Sequence, residues 1–127
     1  MKKLFVLLNH SLLPEQFQEA KERFGITHVI TLSNDTWRDI DPYAKSIAHQ
    51  LEYFKNRLLK EAFKGDYLLV QGDFGATFAM ANLAKKYGII PIYATTARRA
   101  TQVIENGRVI TKREFSHVQF RKYEEIV

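Results

Sequence analysis

Cysteine is absent from the 127 residues. That excludes disulfides and thiolate metal sites, and it suits a reducing compartment, so a cytoplasmic location is expected. There are only three prolines and six glycines, and no Ser-, Gly- or Pro-rich run that would mark a linker. No apolar stretch approaches the ~20 residues of a membrane span. The opening run Leu4–Leu8 is too short for a signal sequence, ends at Asn9-His10 and is followed by no small-residue cleavage site. Also missing are the Walker lysine and the G-x-G-x-x-G fingerprint, so ordinary NTP or dinucleotide binding has no support. No histidine pair has the spacing of a metal-binding helix and the carboxylates are scattered, so neither a metal nor a cofactor is expected.

What remains is a composition of 46% hydrophobic and 26% charged residues, ordinary for a globular chain. The length suits a single domain over residues 1–127. The net charge of +5 is local. Between Ala97 and Tyr123 stand seven Arg or Lys (Arg98, Arg99, Arg108, Lys112, Arg113, Arg121, Lys122) against two acids, Glu105 and Glu114. Such a segment suggests an anionic partner, or simply a solvated surface.

Periodicity gives the order of elements. Leu4–Leu8 reads as a strand buried on both faces. Pro14 opens a helix with Phe17, Ala20 and Phe24 on one face, and Gly25 stops it. His28–Leu32 is a second strand, and Ser33–Pro42 is polar and turn-like. Tyr43 to Phe63 reads as the longest helix, with Tyr43, Ile47, Leu51, Phe54, Leu58 and Ala62 on its apolar face. Tyr67–Val70 is a third strand and Ala76–Tyr87 a helix closed by Gly88. Ile89–Ala94 is a fourth strand, where Pro91 suggests an edge position or irregular pairing. Glu105-Asn106-Gly107 closes a hairpin between Thr101–Ile104 and Val109–Thr111. Phe115, Val118 and Phe120 suggest one more strand. Alternating strands and helices imply an α/β fold with a mainly parallel sheet, flanked by helices and followed by a β-rich tail.

Ligands in such sheets bind outside the carboxyl ends of the strands. Three segments qualify: Asn9–Leu13, Gln71–Thr77 and Thr95–Arg99. In the second, Gly72 and Gly75 permit unusual dihedrals and close backbone approach. The helix that follows offers free N–H groups to a phosphate, and Thr77 adds a hydroxyl. Asp73 is either a ligand contact or the helix cap. In the third, Thr95 and Thr96 precede Arg98 and Arg99, whose guanidinium forks suit phosphate. In the first, His10 is a candidate general base or ribose contact, flanked by Asn9 and Ser11. Trp37 with Arg38 is either a base-stacking pair or core. His28 reads as structural, and His117 as part of the basic surface.

Asn9-His10, the run Gln71-Gly72-Asp73-Phe74-Gly75-Ala76-Thr77, the run Tyr93-Ala94-Thr95-Thr96 with Arg99, and Phe115-Ser116-His117-Val118-Gln119-Phe120-Arg121-Lys122-Tyr123 together resemble one family. It is that of the small single-domain ring nucleases of type III CRISPR systems, relatives of the Rossmann-like CARF sensor domains. The resemblance covers nearly the whole chain. It implies a homodimer that binds cyclic oligoadenylate, usually cyclic tetra-adenylate. It also implies metal-independent cleavage by attack of a ribose 2′-hydroxyl on its own phosphate, giving linear di-adenylate with a 2′,3′-cyclic phosphate. On that pattern Gly72, Phe74, Gly75, Ala76 and Thr77 cradle phosphate or ribose. Arg98 or Arg99 neutralises the scissile phosphate, His10 is the candidate base, Asn9 orients the ligand, and Gln71 and Asp73 read adenine or ribose. Two alternatives share these residues or the tail. One is a sensor or sponge that binds the ring without cutting it. The other is binding of long RNA or DNA by the basic tail, which no known nucleic-acid motif supports.

Overall fold

A computed structural model describes residues 1–127. Its strands are β1 (Lys2–Leu7), β2 (Ile26–Thr31), β3 (Tyr67–Val70), β4 (Ile90–Glu105) and β5 (Arg108–Lys122). Its helices are α1 (Pro14–Phe24), α2 (Asp35–Arg38), α3 (Ala48–Glu61) and α4 (Phe74–Lys86). The five strands form one sheet in the order β2-β1-β3-β4-β5. The first four are parallel, and β5 runs antiparallel to β4. The expected α/β architecture, mainly parallel and ending in a hairpin, is therefore present. No helix is long and apolar enough to cross a membrane.

Alternation along the strands divides the core in two. Phe5 and Leu7 of β1, with Leu68 and Val70 of β3, pack against Trp37, Leu51, Phe54, Leu58 and Met80 from α2, α3 and α4. Leu4, Val6 and Leu8, with Tyr67, Leu69 and Ile92, meet α1 through Ala20 and Phe24, and Phe120 closes that side. Each central strand thus buries both faces, which is why β1 and β3 carry continuous apolar runs.

Several boundaries differ from the periodic expectation, each for a local reason. Phe17 is exposed rather than buried. Gln16 turns inward instead, its Oε1 accepting the Leu13 N–H at 2.9 Å, the half of a capping box that the third helical residue supplies. The longest helix begins at Ala48, not Tyr43, and the Tyr43 ring lies in solvent. Here Asp41 accepts the Tyr43 N–H at 2.9 Å and Ser46 accepts the Ala48 N–H at 3.3 Å, so side chains hold a turn where a helix was expected. The polar stretch Ser33–Pro42 contains α2, capped by Asn34, whose Oδ1 accepts the Trp37 N–H.

Pro91 lies in an interior strand, between β3 and β5. Its carbonyl faces β5 and accepts from the Tyr123 N–H, one step beyond the last paired residue, Lys122. The missing N–H therefore falls where the ladder has already ended. The largest difference is β4 itself. It does not stop at Ala94 but continues through Thr95–Arg99 to Glu105, paired with β5 throughout. The turn between them has Asn106 at φ 52° and Gly107 at φ 75°, as a type I′ hairpin requires.

Strand β5 has a free edge, and α1 covers part of it. Both Glu19 carboxylate oxygens accept the Phe120 N–H, at 3.0 and 2.9 Å. Arg23 donates to the Phe120 carbonyl at 2.6 Å and to Glu19 at 2.7 Å. His117 Nε2 lies 2.6 Å from Glu19. His117 therefore faces α1, not the basic surface expected for it. Burial alone would raise the Glu19 pKa, but the hydrogen bonds from Phe120, Arg23 and His117 together hold it below its ordinary 4.5. A carboxylate with a depressed folded pKa stabilises the fold above its unfolded value and loses that contribution as pH falls through the folded one. We therefore expect the melting temperature to drop as pH is lowered below 4.5. Glu19→Gln should cost about 1–3 kcal/mol at neutral pH and flatten that acid limb. Thermal melts of both proteins across the acid range check this.

Candidate active site

In the order β2-β1-β3, the chain departs to opposite sides of β1, so the carboxyl ends of β1 and β3 bound a crevice where the winding reverses. A cleft of about 480 Å³ lies there. Leu8, Asn9 and His10 after β1 form one wall, and Gln71 and Gly72 after β3 form the floor. Phe74 and Thr77 of α4, Tyr93 of β4 and Tyr123 after β5 complete it. Two of the three segments predicted from sequence thus converge.

Within the Gln71–Thr77 segment the roles divide. Gln71 is anchored three ways. Its N–H donates to Leu7, its carbonyl accepts the Trp37 indole N–H at 3.1 Å, and its Oε1 accepts the Ala94 N–H at 2.8 Å. The side-chain amide therefore presents its NH2 to the cleft. Gly72 has no left-handed φ. Glycine is needed for a different reason: a Cβ there would meet Trp37 Nε1 at 2.9 Å and two further indole carbons at 3.2 and 3.3 Å. Trp37 is fully buried and is core, not a base-stacking platform, and Arg38 pairs with Asp35. Gly75 also has an ordinary backbone, and a Cβ on it would meet nothing closer than 3.5 Å. Neither glycine supplies the unusual dihedral expected of it.

Asp73 is the cap of α4. Its Oδ2 accepts the Ala76 N–H at 3.0 Å, and the Ala76 side chain lies wholly in the core. That removes Ala76 from the cleft and takes one donor from the helix terminus. The N–H groups of Phe74 and Gly75 remain without an intrahelical partner. The Thr77 hydroxyl, buried at the cleft wall, has no hydrogen-bond partner in the chain, a deficit that a ligand atom or water would meet.

On the opposite wall, His10 Nδ1 lies 2.9 Å from the Ser11 carbonyl. A carbonyl only accepts, so Nδ1 carries the hydrogen and Nε2 of the neutral ring keeps its lone pair. Ser11 itself turns away and lines a second recess with Ser33 and Arg38.

The third predicted segment does not reach the cleft. Thr95 Oγ1 donates to the Gln119 carbonyl at 2.8 Å, beside a bulge in the β4–β5 pairing, and Thr96 stands opposite His117. Pleat parity separates the two arginines. Arg98 continues the face of Ile92 and Ala94 toward the α1 side, its guanidinium 5.4 Å from the Phe115 ring centroid. Arg99 continues the face of Tyr93, six residues farther out. The cation beside the cleft is instead Arg121, paired with Tyr93 across the strands and 5.5 Å from its ring centroid.

Arg121, Tyr93 and Tyr123 were not singled out as site residues from sequence. The β-strand parity of Tyr93 was a usable signal, but the partner strand that brings Arg121 and Tyr123 beside it was not. The Tyr93 and Tyr123 rings lie 4.8 Å apart, and the Tyr123 hydroxyl donates to the Val70 carbonyl. Burial, with Tyr93 alongside, pushes the Tyr123 phenol up to about 12, so it stays a neutral donor pinning the chain after β5 to the end of β3.

Fold and cleft together define an α/β domain with a polar, aromatic-walled crevice at its strand ends. The chain matches the model of the Uncharacterized protein MJ1673 family over residues 2–121. It is 40% identical over 126 residues to Uncharacterized protein MJ1673 of Methanocaldococcus jannaschii, an alignment covering 97% of this chain and 98% of that one. The chain belongs to the MJ1673 family. No solved structure matches it.

Proposed function

We propose that this protein is a ring nuclease that binds cyclic tetra-adenylate in the cleft and opens it to linear di-adenylate, a cytoplasmic homodimer acting without metal or cofactor to end type III CRISPR signalling. The observation that carries this reading is the pairing of two walls: a histidine with a free Nε2 lone pair on one, unpartnered donors on the other. A winding reversal beside β1, with the ligand site at it, supports placing the domain among the Rossmann-like CARF relatives.

In the proposed step, His10 Nε2 takes the proton of a ribose 2′-hydroxyl as that oxygen attacks the adjacent phosphorus. The bond from phosphorus to the departing 5′-oxygen breaks. The products are a 2′,3′-cyclic phosphate and, once protonated, a 5′-hydroxyl. The Phe74 and Gly75 N–H groups and the Arg121 guanidinium stabilise charge on the phosphoryl oxygens, taking the role assigned from sequence to Arg98 or Arg99. Gln71 and Asn9 hydrogen-bond base or ribose, and Tyr93 and Phe74 offer ring faces to adenine.

The test is incubation of the purified protein with cyclic tetra-adenylate in EDTA, with products resolved by chromatography and mass. Linear di-adenylate with a cyclic phosphate is expected. Tight binding with the ring left intact would assign a sensor or sponge instead. Neither binding nor cleavage, with cyclic hexa-adenylate also tried, would overturn the cyclic-nucleotide reading altogether.

A further inference from the structure

Pairing of β4 with β3 ends at Ile92, and β5 pairs with β4 alone. Beyond that point the hairpin leaves the body of the protein as a two-stranded arm. From Arg98 to Ser116 every residue except Val103 is exposed. Ile104, Val109 and Phe115 are 78%, 66% and 63% exposed. A lone two-stranded ribbon is marginal in water, so an arm of this length needs a covering surface.

The whole molecule carries the same sign. Its accessible surface is 8900 Å² for 14.8 kDa. A compact monomer of that mass exposes about 7,000 Å². The excess, about 1,900 Å² per chain, is what one partner contributes to a large obligate interface.

We propose that a second copy of this chain covers the arm, each arm crossing to its partner so that Arg99 stands over the partner's cleft. Three observations choose this occupant. First, arm and cleft leave the same edge of the sheet, because β4 runs on past the carboxyl ends of β1 and β3 that frame the cleft. Second, the arm face that continues from Tyr93 has mixed character, with Arg99 opposite Glu114, Thr101 opposite Lys112, and Val103 opposite Ile110. That pattern suits a protein surface better than a polyanion, which favours a uniformly cationic face. Third, the cleft is rimmed by apolar side chains with nothing over them: Phe74 is 95% exposed, and Phe78, one turn along α4, is 68% exposed.

Arg99 makes no ion pair within its own chain, and its own cleft is out of reach. Six residues of strand from Tyr93 place it about 20 Å away. The cleft wall itself contains no charged side chain. In the crossed dimer, Arg99 adds to each site the second cation that an anionic ligand requires. This role for Arg99 rests on the phosphate-ligand reading of the cleft, whereas the crossing of the arm does not.

The absence of cysteine makes a direct test available. Arg99→Cys is mixed with a tagged Phe74→Cys and, separately, with a tagged His10→Cys, then treated with a short bismaleimide without ligand. The exposed positions 99, 74 and 10 tolerate these changes, which circular dichroism verifies. Sedimentation of the unmodified chain should give about twice 14.8 kDa. At least one mixture should yield a covalent heterodimer that neither variant gives alone with an unsubstituted, tagged partner. A monomer in sedimentation overturns the proposal, and so does a dimer in which neither mixture cross-links. Because the cross-link needs no nucleotide, a cross-linked dimer that ignores cyclic tetra-adenylate would retain the crossed arm and reject the ligand.

Discussion

Trp37→Ala should be the most damaging single substitution in the chain, costing about 3–5 kcal/mol. A fall of roughly 10–20 °C in Tm follows for a domain of this size. The indole is fully buried, meets Phe54 edge-on at 5.5 Å, and donates to the Gln71 carbonyl. Removing it leaves a cavity beneath the cleft floor and an unpaired carbonyl above it. Gly72→Ala attacks the same contact from the other side, forcing a methyl group against the ring at about 1–3 kcal/mol. Trp37→Phe combined with Gly72→Ala should destabilise less than the sum of the two single changes, because the smaller ring frees the space the methyl needs. Melts followed by circular dichroism read all four proteins. A Trp37→Ala variant melting within a degree or two of the parent would show that the floor is not built on the indole.

His10→Ala carries the largest expected effect on activity, a loss of about 10²–10⁴ in cleavage rate, the range of a positioned general base. Affinity for cyclic tetra-adenylate should change far less, since the remaining wall still binds. Arg121→Ala should show the reverse emphasis, weakening both binding and cleavage through lost phosphate contact. Single-turnover rates and equilibrium binding on the same preparations separate the two. If His10→Ala cleaves at the parental rate, the 2′-hydroxyl is activated by alignment alone and the histidine is no base. Fold is not at issue in that comparison, because the His10 side chain is exposed and bonds only to the neighbouring Ser11 carbonyl.

What sequence revealed and what it hid follow from how local each determinant is. Strand β3 was read to the residue, and α1 from Pro14 to Phe24, because a four-residue apolar run and a Pro–Gly bracket are signals complete in themselves. The Asn106-Gly107 turn was equally legible. By contrast, Thr95–Arg99 looks like a loop in sequence because its polar residues are strand only by virtue of pairing with Glu114–Gln119, and that register is set across the hairpin. The start of α3 was missed because Asp41 and Ser46 compete for the backbone through their side chains. For the site, the rule of strand ends points to Asn9, His10, Gln71 and Gly72, and these four residues line one cleft. It misassigned the reason for Gly72, whose constraint is a tryptophan thirty-five residues earlier. It gives no hint of Arg121, which is brought beside the cleft only by its antiparallel partner Tyr93.

The sheet joins two kinds of pairing with very different closure distances. Ile104 meets Val109 across a two-residue turn, while Leu4 must find Tyr67, sixty-three positions along the chain. A hairpin closes in ~1–10 μs, whereas non-local parallel pairing must first overcome the entropy of a long loop. In the complete unfolded chain the arm is therefore the part of the sheet that can zip first. The rate of folding is set at the other side, where β1 enters between β2 and β3. Shortening the arm should leave that rate nearly untouched, and a complete chain refolding from the unfolded state offers its hairpin to a neighbouring copy before its own sheet has closed.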